Sequence, residues 1–173
     1  MPTLYETAIP PVRRALVNLQ AFLDKAAAHF AEAGTPEADW LNAALAPDMF
    51  TLTRQIQVAS DAARGIAARL ADSEVPSMPD TETSVAELRD RIARTIAYVD
   101  SIPAAAIDGR EQAEVIVKFP QAHIRFTGAS YLSDFGMPNL FFHIVAAYGI
   151  LRHLGAPLGK LDYLGPLDVT PVG

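Results

Sequence analysis

The chain has no cysteine in 173 residues, which excludes disulfides, thiolate nucleophiles and thiolate-held metal centres. Nor does any apolar run approach the roughly 18 residues of a membrane span. The opening stretch, MPTLYETAIPPVRRALVNLQ, lacks the basic-then-apolar order of a secretion signal, so a cytoplasmic protein with no membrane partner is expected. Positive charge is scarce, with 14 Lys and Arg against 20 Asp and Glu for a net charge of -6. The cations are scattered singly, and a nucleic-acid partner held by phosphate neutralisation is not expected. A Ser-His-Asp order, a phosphate-binding glycine loop and a dinucleotide fingerprint are also missing, since GAPLG near the C-terminus lacks the strand-to-helix context such a loop needs.

What is present is a globular composition, half hydrophobic and a fifth charged. The length suits one domain over residues 1–173 with a core that needs no staples. Helical periodicity is the dominant pattern. Ile9, Val12, Leu16, Leu19, Leu23, Ala26 and Phe30 form one apolar stripe ending near Gly34, with Pro10 and Pro11 expected at or near its start. TPEADWLNAALAP predicts a short helix closed by Pro47. Met49, Leu52, Ile56, Ala59, Ala63, Ile66 and Leu70 predict a second long helix, N-capped by Asp48 and running to about Asp72.

The polar SEVPSMPDTET is a loop. Val85, Leu88, Ile92, Thr95, Val99 and Ile102 then mark a third helix, capped by Thr83 or Ser84 and stopped by Pro103. The alternation in EVIVKF and HIRFTG predicts a β-hairpin over about 114–127. The last helix spans about Ala129 to His153 with Gly155 as its C-cap, bent or interrupted near Gly136 and Pro138. Its middle is apolar almost all round, which predicts the most buried helix of the set. The tail, 156–173, has too much Gly and Pro for a helix, and Leu161, Tyr163 and Leu164 suggest that it lies across the bundle surface. The fold class is therefore all-α, a four-helix bundle with a small β-hairpin inserted before the last helix.

Within the apolar last helix, Asn139 and His143 stand four residues apart and share a face. Apolar neighbours would hold the imidazole in a dry place and shift its protonation. Spacing alone leaves three roles open for it: a hydrogen-bonded core residue, a contact for a small molecule, or a metal ligand. Gln55 and Gln57 flank the apolar stripe of the second long helix, with Arg54 and Asp61 further from it, and a glutamine near the seam could meet His143. His29, His123 and His153 read as structural or solvated. Trp40 and the tyrosines Tyr5, Tyr98, Tyr131 and Tyr148 read as core rather than pocket.

Three stretches, LNAALAPDMFTLTRQIQVASDAARG, MPDTET and PNLFFHIVAAYGILRHLGAPLGKLDYLG, resemble a bacterial domain-of-unknown-function family of the DinB/YfiT-like superfamily. The resemblance covers nearly the whole chain and implies a DinB-like four-helix bundle, often dimeric. Better-known members of that superfamily hold a divalent metal through three histidines, and some are thiol-dependent transferases or isomerases. In their pattern one histidine comes from the second long helix and two from an H-x-x-x-H on the last helix, followed nine residues later by an Arg. His143 and Arg152 keep that last spacing, so the resemblance puts His143 on the second ligand position and Asn139 on the first. Gln57 then replaces the histidine of the second helix, with Gln55 as the alternative register.

The resemblance thus implies a pocket of Gln57, Asn139 and His143 that has lost two of three metal ligands. The leading expectation is a protein that binds a small molecule there without a cofactor, or is catalytically degenerate. A metal-dependent thiol transferase or hydrolase-like enzyme, with a divalent metal at His143, is the alternative. A homodimeric interaction protein working through an apolar helix face is a third. No residue pattern in the sequence names a reaction.

Overall fold

Helix α1 (Leu4–Glu32) begins earlier than its prolines suggest. The Thr3 hydroxyl accepts the Glu6 backbone N–H (3.2 Å) and the Glu6 carboxylate accepts the Thr3 N–H (2.9 Å), a reciprocal arrangement that satisfies two of the free donors at a helix start. Pro10 and Pro11, expected at or near the start, consequently lie inside the helix. Burial of Leu4 and Ala8 in the core favours the added turns despite the ~3 kcal/mol that an interior proline costs. The computed structural model describes residues 1–170; residues 171–173 of the expected tail lie outside the described residues.

After the short α2 (Glu37–Leu41), which buries Trp40 and Leu41, the chain enters α3 (Leu52–Leu70). Asp48 is not its N-cap. The Met49 N–H bonds to the Ala46 carbonyl (3.0 Å), drawing Asp48 into a preceding turn, and the Thr51 hydroxyl caps the helix instead. The expected closure of α2 at Pro47 likewise gives way to an earlier end. Helix α4 (Val85–Ser101) starts with a Ser84–Glu87 capping box. A single turn, α5 (Ala104–Ile107), leads to the antiparallel hairpin of β1 (Glu114–Phe119) and β2 (Ala122–Thr127), paired from Glu114 with Thr127 to Phe119 with Ala122.

The last helix is built in three pieces: α6 (Gly128–Ser130), a π-helical segment (Tyr131–Gly136) and α7 (Met137–His153). Pro138 has no N–H to give the carbonyl four residues back, and the wider register absorbs that loss. Gly136 lets the segment close on α3, since a β-carbon there would stand 2.9 Å from Ile66 Cγ1.

Helices α1 and α3 each pack against both α4 and α7, so the four long helices close into a ring, with the most extensive contact between α3 and α7. The architecture is the expected mostly helical bundle with its hairpin before the last helix. Two further local expectations fail. Helix α7 is not the most buried, because α3 has more of its residues buried and Phe141, Phe142 and Val145 on α7 face outward. The tail does contain a helical turn, α8 (Lys160–Leu164), begun by the Asp162 carboxylate on the Gly159 N–H (2.7 Å). It lies across α1, where Asn18 donates to the Tyr163 and Leu164 carbonyls, but Leu161 points to solvent.

Candidate functional site

Helix α3 carries core residues on one side and, facing α4, α7 and the loop before α4, a set of buried polar residues: Gln55, Gln57, Ser60 and Arg64. Both glutamines are buried. His143 on α7 is buried too, and its Nδ1 lies 2.7 Å from Gln55 Oε1. The Gln55 amide nitrogen donates to the Phe50 carbonyl (3.3 Å), which leaves Oε1 to accept and makes Nδ1 the protonated ring nitrogen. Nε2 then keeps its lone pair, with no hydrogen bond to any described residue.

Burial first, and then the positive charge of Arg54, push the His143 pKa below its ordinary 6.5. The ring is therefore a neutral imidazole at pH 7. It stacks on Phe50 at 6.3 Å between centroids, and the Arg54 guanidinium sits 5.6 Å from the centroid of that same phenyl ring.

Neither Gln57 nor Asn139 is hydrogen-bonded to His143. The Gln57 amide nitrogen donates to Glu82 (2.9 Å) and its oxygen accepts from Arg54 (3.2 Å). Asn139 lines a cavity between α3, β1 and the π-helical segment, beside Val58, Asp61 and Phe135, and His143 is not among its lining residues. Arg152, nine residues after His143, donates to the Ala156 carbonyl (3.4 Å) at the end of α7.

The structure adds an ionic cluster that spacing did not reveal. The Arg91 side chain, fully buried, reaches Asp61 (2.7 Å), Asp80 (2.9 Å) and Glu82 (2.9 Å) and donates to the Pro79 carbonyl (2.9 Å). Arg64 pairs with Asp61 and donates to the Pro76 carbonyl, and Arg54 pairs with Asp80. Burial works to raise the Glu82 pKa, but hydrogen bonds from Arg91 and Gln57 outweigh it and hold the carboxyl below its ordinary 4.5. The loop 73–83, which contains MPDTET, is thus a strap held over α3 by three arginines, with Arg91 and Arg54 binding within MPDTET and Arg64 at Pro76. A sequence clue existed, because Arg91 sits between Leu88 and Ile92 and Thr95 on the inward side of α4.

A centre of the three-histidine type does not fit these donors. The Gln55 oxygen already accepts from His143, the Gln57 oxygen already accepts from a guanidinium, and Asn139 lines a cavity that His143 does not. Among the described residues no three His, Cys, Asp or Glu side chains are grouped to hold a metal ion. The acids of the cluster are neutralised by arginines. What the site offers chemically is one dry imidazole with an open Nε2, able to accept a hydrogen bond or a proton.

Comparison with known proteins agrees with the bundle. A crystal structure of a DinB family member protein from Shewanella denitrificans is similar at a TM-score of 0.88 and 37% identity, over 98% of this chain and 96% of that one. The curated proteins gave no match. The family model of a domain of unknown function, DUF1993, matches residues 4–164. With nearly its whole length matched, the chain belongs to the DUF1993 family and has a DinB-like fold.

Proposed function

We propose that this protein binds a small organic molecule in the α3–α7 groove, as a DinB-like bundle whose three-histidine metal site has been rebuilt from amides and works without a resident cation. The observation that carries this reading is the 2.7 Å contact between His143 Nδ1 and Gln55 Oε1. It ties the one remaining histidine to a neutral partner, and the Arg54 charge that lowers its proton affinity also opposes a divalent ion at the same place. An imidazole with one nitrogen fixed and the other open suits a ligand hydroxyl or N–H, and sites of this kind combine a few polar groups with apolar walls.

The test is elemental analysis of tag-free protein purified without chelator, beside the His143→Gln variant. Metal well below one equivalent in both is the expected result. Near one equivalent in the natural sequence, lost in the variant, would overturn the reading in favour of a metal-dependent thiol transferase or hydrolase-like enzyme.

A second reading, homodimerisation, coexists with the first. Phe141, Phe142 and Val145 stand exposed on α7, and from Met137 to Leu151 that helix has no Asp, Glu, Lys or Arg. A second copy would cover this face with its own apolar side chains. No described helix is long and apolar enough to cross a membrane, so bilayer insertion of a spanning helix does not compete for it.

A further inference from the structure

We infer that the cavity holding Asn139, between α3, the hairpin and the π-helical segment, takes a small planar carboxylate about one aromatic ring in size, gripped by Arg69 and Tyr131. The inference goes beyond the reading above, since neither His143 nor Gln55 lines this cavity.

The cavity, about 190 Å³, is walled by Phe119, Tyr131 and Phe135 and edged by Arg69, Lys118 and Asn139. Drug-sized ligands occupy roughly 300–1,000 Å³, so this space suits a single ring. Phe119 and Phe135 meet edge to face at 5.8 Å, and Tyr131 and Phe135 stand 6.1 Å apart, leaving aromatic surfaces on which a planar ring can pack.

The charge balance favours an anion. Three ionisable side chains besides Tyr131 line the cavity: Arg69, Lys118 and Asp61. Asp61 is already paired with Arg64 and Arg91. Arg69 is half-buried and forms no ion pair with any described residue; its guanidinium donates one hydrogen bond, to the Tyr131 hydroxyl (3.1 Å), and lies 5.8 Å from the centroid of that ring. Tyr131 is 1% exposed. Its hydroxyl accepts from Arg69 but donates to no described residue, so a buried O–H and the free face of a guanidinium stand side by side without an acceptor. A carboxylate supplies two acceptor oxygens in the plane that a guanidinium fork requires.

The local sequence builds this pair. Gly65, one turn before Arg69 on α3, leaves room for the guanidinium to fold back along the helix; a β-carbon there would collide with Arg69 and stand 3.6 Å from the Tyr131 hydroxyl. The π-helical segment places Tyr131 and Phe135 on the same cavity.

The experiment is calorimetric titration of the full chain with benzoate, with benzamide as the neutral isostere, repeated on Arg69→Met and Gly65→Ala. Saturable benzoate binding near one per chain is expected. Benzamide should bind more weakly, and Arg69→Met should weaken benzoate by about 10- to 100-fold, as loss of a hydrogen bond to a charged group does. Gly65→Ala should weaken it in the same direction by displacing the guanidinium. Absence of saturable benzoate binding, or equal affinity for benzamide, overturns the inference on the natural sequence alone, whether or not the variants fold. The metal analysis above is scored separately: a metal-free protein that ignores benzoate removes the carboxylate while leaving the groove reading, whereas a stoichiometric metal lost with His143 removes the groove reading itself.

Discussion

His143 and Gln55, 88 positions apart in the chain, are joined by a 2.7 Å contact between Nδ1 and Oε1 in the α3–α7 interface. Because the Gln55 amide is oriented in turn by the Phe50 carbonyl, one ring nitrogen is fixed as donor and the other is left open. A buried polar pair of this kind stabilises through the cost of separating it more than through its net strength.

Replacing Gln55 with Leu should destabilise the fold by about 1–3 kcal/mol, since it strands a buried N–H of His143. In a double-mutant cycle by urea unfolding, Gln55→Leu and His143→Leu should couple by about 0.5–3 kcal/mol, while Gln57→Leu and His143→Leu should add to within ~0.5 kcal/mol. Equal coupling of Gln57 would contradict the geometry.

The pH dependence of stability should show His143 directly. Its folded pKa lies below the ordinary 6.5, so beneath that pH the unfolded chain binds a proton that the folded chain refuses. The contribution is fully present above pH 6.5 and is lost as pH falls toward the folded value. Glu82, held below its ordinary 4.5, adds a second loss only below that pH. Between 6.5 and 4.5 the slope of unfolding free energy against pH should flatten in His143→Gln; an unchanged slope would refute this assignment.

Arg91→Met should cost about 3–5 kcal/mol, the penalty for leaving buried ionic partners uncompensated. Hydrogen exchange over residues 73–83 should rise with it, because Arg91 clamps that strap. Arg13→Met, which breaks an exposed pair with Asp100, should change stability by about 0–1 kcal/mol. Similar effects for the two would mean that burial does not govern the cluster.

Light scattering at micromolar concentration should give a dimer if α7 is the covered face, and Phe142→Glu should return a monomer with unchanged helical circular dichroism. A monomeric natural sequence would dispose of the dimer reading.

Apolar periodicity determined the four long helices, and alternation determined the hairpin, because both follow from which side chains must leave water along a regular backbone. The same sequence marked Gly136 and Pro138 as an interruption, which proved to be a π-helical segment. It also marked His143 as a polar side chain in an apolar helix, through local composition alone. What it could not settle was register between helices. Gln55 and Gln57 are equivalent as residue types, and only the packing of α3 on α7 turned Gln55 to His143 and Gln57 to Glu82. Whether α7 is enclosed, and that Arg91 is buried among acids from α3 and a loop, were likewise decided by tertiary structure. The physical reason is one of range. Helix formation and amphipathicity are written within a few residues, whereas the partner of a buried polar group comes from a distant part of the chain and is selected only when the elements pack.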